Sequence, residues 1–592
     1  MTRTTGTAHN TDSDLGTVWL EQLIELRKQG MQIADINPVS ALADIIGEQI
    51  DRGVVTVDQL RQLLDAHADQ LWGQRVANLR MQTGLDGGDQ TLPDLNKQDI
   101  SRTAYRAVFT AHPVFALRPD VSAQMAEHAD AGKGAPPPDA FAPRDAVTLD
   151  EEHAEAMQAL QNARTAVNDI NADILRQRRA AHPQGWRDVL PETVGVSTWV
   201  GYDLDGRSDI SWQDSFRLRL REKRDALTVY HQTIMDSGLV ASSDAMADIA
   251  ARLTEELTRT MAHIQSFDIG DAKADAKADS GDVIAAMNAL TCAPGRLISS
   301  RALATEIHDI ARSLPDDNMA LAALVIASDI ATHGFGMGEV HLRINAAQIR
   351  NAMRPVDGRA ISVSANSASE GVRSPRMLID KLANRIRTEE AWAINFANLD
   401  SETATARRQL MLATQILKHI DSDQPIRLLI AECERPLTIM SALYLAHKFG
   451  IADMIDISPL FETSYGLEHG EKVIDQLLQQ QVFVDYVTTR GRLAIQTGFS
   501  DAGRFVGQVA ANMAIERLQL KILRSLKARI GTHVDVLIFN THGESLGRGG
   551  AQAPMAQRQA WLMTPYVRHV AAEMGIGLYP VSYTHLRAHE TE

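Results

Sequence analysis

Before residue 420 apolar positions recur every three or four residues through "LDEEHAEAMQALQNARTAVNDINADILRQRRA" (149–180), "SFRLRLREKRDALTVYHQTIMD" (215–236) and "MADIAARLTEELTRTMAHIQSF" (246–267). That spacing predicts long amphipathic helices, read as helix packing rather than as cofactor or membrane segments. Two stretches break the pattern: "DAGKGAPPPDAFAPRDA" (130–146), rich in Pro, Gly and Ala, and the charged near-repeat "GDAKADAKADSGD" (270–282). Both are expected to be solvated loops. After residue 420 short continuous apolar runs alternate with helical ones: "IRLLIAECE" (426–434), "MIDISPLFET" (454–463), "RLAIQTGFSD" (492–501), "VDVLIFNTHGE" (534–544) and "IGLYPV" (576–581). Strand–helix units in succession predict a parallel sheet or barrel, and strands covered on both faces read as unbroken apolar runs.

The resulting fold class is α/β and predominantly α-helical, with a parallel sheet or barrel beside many long helices. The organisation is an N-terminal helical region (1–150), a second helical region (151–420), the βα units (421–581) and a terminal stretch, 582–592. The last residues, "SYTHLRAHETE", look like translated adapter sequence, so the chain is expected to be a fragment with an artefactual tail.

Composition narrows the function classes. Hydrophobic residues make up 44% and charged residues 23% of 592, enough to bury a large core. The formal net charge of −16, from 75 acidic and 59 basic residues, argues against a nucleic-acid partner. Cys292 and Cys433 are the whole cysteine content and fit neither a disulfide framework nor a zinc pattern. The polar start "MTRTTGTAHNTDSDLG" and the lack of a run of about 18 apolar residues predict a cytoplasmic protein with no membrane partner.

Candidate chemistry lies in polar residues just past successive strands. Glu434, Glu462, Asp501 and His542 all follow the C-terminal ends of apolar runs, the edge where α/β folds gather ligands. Glu462 and Asp501 are a plausible pair for Mg²⁺ or Mn²⁺, which favour few carboxylates, waters and substrate oxygens. Arg504, three residues on, is placed to neutralise an anion or else faces solvent. The loop "FNTHGESLGRGG" (539–550) offers His542 and Arg548 to a phosphate or is a plain glycine turn. Earlier, "FTAHPVFAL" (109–117) sets His112 in an apolar context, where a lone histidine is more often a core residue than a catalyst. In "STWVGYDLDGRSDI" (197–210) Asp203 and Asp205 do not complete an EF-hand. "HGFGMGEVHLRIN" (333–345) is glycine-rich without the strand–turn–helix setting of a dinucleotide fingerprint.

In order, these segments resemble the phosphoenolpyruvate carboxylase family. "TAHP" (110–113) matches its essential-histidine motif, "STWVGYDLDGRSDI" is similar to "SWMGGDRDGNP", and "FGMGEVHLRIN" (335–345) to "FGLTLVRLDIR". "PLFET" (459–463) matches outright, "GFSDAGR" (498–504) is similar to "GYSDSAK", and "HGESLGRGG" (542–550) to "HGRGGTVGRGG". The series runs over roughly residues 100–555. The resemblance implies a parallel β/α barrel of TIM type surrounded by long helices. Because family members run further, the barrel is expected to be incomplete here, leaving an unpaired strand edge and an open core. The resemblance also implies an anaplerotic enzyme that joins phosphoenolpyruvate and bicarbonate into oxaloacetate and phosphate. It implies Glu462 and Asp501 as ligands of Mg²⁺ or Mn²⁺, which would bind phosphoenolpyruvate and stabilise its enolate. Bicarbonate would attack phosphorus to give carboxyphosphate. His112 would be the base that promotes its breakdown, and His542 would seat the CO₂. Arg548 would neutralise phosphoryl oxygens, with Arg504 where the family has lysine. Asp203 and Asp205 fall among the substrate-binding residues, and the family's habit implies a homo-oligomer, a tetramer.

The chain also departs from the pattern. Asn345 stands where the family has the arginine of "LDIR", Leu204 where it has that of "DRDG", and the loop between His542 and Arg548 is shorter by two residues and lacks one arginine. Loss of one phosphate-binding arginine from a desolvated site costs about 2–4 kcal/mol of transition-state stabilisation, by analogy with an oxyanion donor. Arg343, Arg207 and Arg435 are the candidates to compensate. A catalytically weakened or inactive relative that binds phosphoenolpyruvate in a regulatory role, or a different carboxylate or phosphate enzyme on the same barrel, are the alternatives.

Overall fold

The computed structural model describes residues 11–32, 37–83, 100–110, 118–137, 140, 142, 147–207, 209–271, 285, 287–290, 293–354, 374–540, 557, 560–561, 563–585. The chain divides into two compact units. The smaller comprises residues 1–86 and 117–144. Its helices Thr11–Gly30, Pro38–Asp51, Val57–Thr83 and Pro119–Ala131 carry a small core of Trp72, Val76, Val121, Met125, Ala129 and Ala140. The Arg80 guanidinium donates to the carbonyls of Ala129 and Asp130, both at 2.8 Å, where the last turn of Pro119–Ala131 leaves acceptors unpaired.

The larger unit comprises residues 87–116 and 145–590 and contains a closed barrel of eight strands. The strands are β1 (Tyr105–Thr110), β2 (Val194–Thr198), β3 (Glu339–Asn345), β4 (Ile426–Ala431), β5 (Ile455–Phe461), β6 (Arg492–Thr497), β7 (Asp535–Asn540) and β8 (Leu578–His585). All pairings are parallel, and β8 closes the ring by pairing with β1, Arg106 opposite Val581 through Thr110 opposite His585.

This corrects the expectation of an incomplete barrel with an open edge. The five runs after residue 420 are all strands, but β1, β2 and β3 lie inside the region read as helical. They are short and far apart in sequence, with the predicted long helices Leu149–Ala181, Trp212–Asp236 and Asp244–Asp271 inserted between them. Strand β8 runs on to His585, beyond the expected limit at 581. Among the described residues no helix is long and apolar enough to cross a membrane.

Period-two alternation sorts each strand's side chains between the surrounding helices and the barrel interior. Ile426, Leu428 and Ile430 of β4, Ile455 and Ile457 of β5, and Leu493 and Ile495 of β6 join the large core shared with the helices. Val108, Leu429, Ala494, Leu537, Phe539 and Val581 pack together in the barrel interior. Near the N-terminal ends of the strands this interior carries charge. Glu339 takes Arg106 at 2.9 Å and Arg427 at 3.0 Å, and Asp456 takes Arg492 at 2.8 Å and Arg490 at 2.9 Å. Burial alone would raise both acids. The guanidinium groups outweigh it and hold Glu339 and Asp456 well below the usual carboxylate range, while burial lowers Arg427 to about 10. His341, buried above this layer, packs edge-on against Phe539 (ring centroids 5.6 Å apart), and burial beside Arg427 keeps it neutral.

Because the folded pKa of Glu339 is depressed, its contribution is complete above the unfolded value of about 4.3 and falls away as pH drops toward the folded value. Glu339→Gln should therefore lower unfolding free energy at pH 7 by about 3–5 kcal/mol, since it strands buried guanidinium charge. Denaturant titrations from pH 7 to 3 should show that gap shrinking below about pH 4. A gap constant across that range would contradict the assignment.

Candidate active site

Parallel closure brings all eight C-terminal strand ends to one rim, and the chain positions singled out above follow those ends. His112 comes two residues after β1, Asp203 five after β2, Glu434 three after β4, Glu462 one after β5, Asp501 four after β6 and His542 two after β7. His112, His542 and Arg548 lie outside the described residues. Asp501 and Arg504 belong to the helix Phe499–Val506, with only their backbone described.

Around β4, β5 and β6 the rim is tightly built. The β4–β5 ladder ends at Ile430 opposite Pro459, whose ring has no N–H to continue it. Beyond it the Glu432 N–H crosses to the Glu462 carboxylate, donating to Oε1 at 3.2 Å. Glu432 has φ 53, in the left-handed region, at a cost of about 1–2 kcal/mol for a residue with a side chain. Thr463 donates its hydroxyl to Glu434 and caps the helix Ser464–Leu477 by accepting from Gly466 N at 2.9 Å. On the other side Gly498 N donates to Phe461 O at 2.9 Å, bringing the end of β6 against Glu462. A Cβ at Gly498 would lie 2.2 Å from Glu462 Cβ, so the site has room only for glycine there. Arg435 is exposed at the start of Pro436–Lys448, and Cys433 is buried with its thiol pKa pushed up by that burial.

Around β2 and β3 the rim is occupied by ion pairs. Arg343 donates to Asp203 Oδ2 at 2.6 Å, reaches Asp205 Oδ2 at 3.5 Å, and lies over the Trp199 ring at 4.8 Å. Burial raises the Asp203 pKa, with Arg343 opposing. Leu204 is buried, and its N–H donates to Arg343 O at 3.0 Å, pinning the loop onto β3. Asn345 donates to Asp205 at 3.2 Å and caps the helix Ala346–Ala352. Arg207 is taken by Asp209 at 2.7 Å and Glu152 at 3.2 Å. The glycines of "FGMGEVH" have a packing cause: a Cβ at Gly336 would lie 1.9 Å from the Arg219 guanidinium carbon, and one at Gly338 2.4 Å from Val196 O.

Sequence reasoning missed Glu432, Gly498 as the wedge beside Glu462, and Trp199 beneath Arg343. Gly498 was visible as the first residue of "GFSDAGR"; nothing in the sequence marks a glutamate for the left-handed region. Among the described residues no three histidine, cysteine, aspartate or glutamate side chains form a metal-binding group.

A family model described as phosphoenolpyruvate carboxylase matches residues 141–560. The phosphoenolpyruvate carboxylase of Xanthomonas euvesicatoria pv. vesicatoria is 24% identical over 398 residues, covering 62% of this chain and 41% of its own length. That of Bradyrhizobium diazoefficiens is 23% identical over 388 residues, covering 61% and 40%. That of Marinomonas sp. is 30% identical over 127 residues, covering 22% and 14%. The chain thus spans about two-fifths of the length of the first relatives, whose matches cover 41% of them. His112 falls outside the span of the family match.

The fit at Gly498 predicts that Gly498→Ala lowers unfolding free energy by about 1–3 kcal/mol, as overpacking does. Gly503→Ala, five residues on, would place its Cβ 3.8 Å from Gln508 Cγ and should be neutral or mildly stabilising in its helix. Parallel urea titrations of the two variants check this. Equal effects would mean that Gly498 is not wedged against Glu462.

Proposed function

Because the chain belongs to the phosphoenolpyruvate carboxylase family, we propose that it carboxylates phosphoenolpyruvate with bicarbonate to give oxaloacetate and phosphate at the C-terminal rim of its barrel. The observation that carries this reading is Glu462, anchored by the Glu432 N–H on one side and wedged by Gly498, at the head of the segment bearing Asp501, on the other. Carboxylates on neighbouring strand ends suit a hard divalent cation, and a ligand locked by its neighbours needs little reorganisation on binding. In this proposal Glu462 and Asp501 hold Mg²⁺ or Mn²⁺. Such a cation, when bound, supplies Lewis acidity that favours the enolate.

The remaining roles fall to the chain's own residues. Arg548 and Arg504 neutralise the phosphoryl group, since charge-assisted contacts in a desolvated cleft favour the transferring oxygens. His112 takes the proton from carboxyphosphate as it releases CO₂, and His542 seats that CO₂ beside the enolate. Asp203 and Asp205 orient Arg343 at the substrate's edge of the rim. Anaplerotic carbon fixation, a cytoplasmic location and a homo-oligomeric, tetrameric assembly belong to the same proposal.

A second reading, a weakened or inactive relative that binds phosphoenolpyruvate in a regulatory role, is favoured by the ion pairs on the β2–β3 side. Arg343 and Arg207 are each held by two carboxylates, and Asn345 caps a helix. Two of the three arginines that would compensate for those missing from the family pattern are therefore already engaged.

Oxaloacetate formation by the purified chain, followed through a coupled dehydrogenase, separates the readings. Carboxylation predicts a rate that requires Mg²⁺ and bicarbonate, is abolished by chelation, and falls at least about 100-fold in Glu462→Gln and Asp501→Asn. Calorimetric binding of phosphoenolpyruvate without turnover would favour the regulatory reading, and full activity in Asp501→Asn would sink the assignment of the metal ligands.

A further inference from the structure

Among the described residues only Met337 and Glu432 have positive φ without being glycine. Met337 sits in the packed glycine-rich turn before β3, its sulfur 3.0 Å from the buried Arg164. Glu432 is different: its side chain is exposed, so burial of the side chain does not account for the conformation. What the conformation does is turn one N–H out of the line of β4 and onto Glu462 Oε1, just past Pro459, where the β4–β5 ladder has stopped. Strained backbone held in place by its surroundings is most often found where geometry serves function.

The geometry points to Glu432 as a positioning residue: through its left-handed backbone, and not through its carboxylate, it fixes the orientation of the Glu462 carboxylate toward a divalent cation. This rests on the reading of Glu462 as a metal ligand. Loss of a contact that orients a metal ligand typically weakens metal affinity about 10- to 100-fold. Any residue that adopts the left-handed region easily should therefore serve at 432, and glycine should serve best, because it enters that region without steric cost. A β-branched residue should serve worst, since its side chain resists that region most strongly.

The test is Mn²⁺ binding by the full chain, measured as free Mn²⁺ by electron paramagnetic resonance, with thermal melting to confirm folding. Glu432→Gly should bind Mn²⁺ several-fold more tightly than the parent, because it enters that conformation without the steric cost Glu432 carries. Glu432→Ala, with the same backbone cost as glutamate, should bind within about twofold of the parent, and Glu432→Val about 10- to 100-fold more weakly, the range seen when an orienting partner is lost. If the valine variant does not fold, the alanine–glycine pair still decides the matter. Equal affinity in Ala and Gly would overturn the proposal, as would Glu432→Gly binding as weakly as Glu432→Val, which would assign the effect to the carboxylate. Glu462→Gln separates the two layers: unchanged Mn²⁺ affinity there removes the metal-ligand reading itself, whereas lost affinity there with no Ala–Gly difference removes only the role of Glu432.

Discussion

A parallel strand has a direction, and closing eight of them into one ring forces eight C-terminal ends onto a single rim. The rest of the larger unit depends on that constraint. It gathers strand ends spread from Thr110 to His585 around one opening, although long helical insertions separate them in the chain. It also divides the interior by depth. The N-terminal half is closed by the ion pairs of Glu339 and Asp456 with their arginines, above which lies an apolar layer of Val108, Leu429, Leu537 and Phe539. In barrels of this type the C-terminal rim is where active sites are found.

The rim has two sides of different electrostatic character. Between β2 and β3, guanidinium and carboxylate groups satisfy one another: Arg343 with Asp203 and Asp205, Arg207 with Asp209 and Glu152. Between β4 and β6, local geometry is concentrated on one carboxylate, Glu462, through a left-handed neighbour and a glycine that admits no side chain. The proposed carboxylation draws on both sides, with its phosphate-binding cations carried by the segments after β6 and β7.

How much of this was legible in the sequence follows from where each strand points its side chains. The runs "IRLLIA" and "IDISPLF" declared themselves because every position is buried. Strand β3, "EVHLRIN", did not, because Glu339, His341 and Arg343 face a barrel interior that holds charge while Val340, Leu342 and Ile344 face the helices. Its strict alternation is a strand signal that reads as polar only if a barrel interior is assumed to be apolar. Strand β1 hides Arg106 in the same way. At the site, positions relative to strand ends were readable, as Glu434 and Glu462 demonstrate. Backbone conformation at Glu432 was not, because side-chain identity carries that information only for glycine and asparagine.

The central claim is that the rim around Glu462 assembles a divalent cation and phosphoenolpyruvate together. The most direct measurement is the ³¹P resonance of phosphoenolpyruvate in the presence of the protein and substoichiometric Mn²⁺. The account predicts that the parent chain changes the paramagnetic broadening from that of Mn²⁺ and phosphoenolpyruvate alone, and that folded Glu462→Gln returns it to the protein-free value. Parent broadening equal to that of the protein-free mixture, or the same change with the variant, would contradict it.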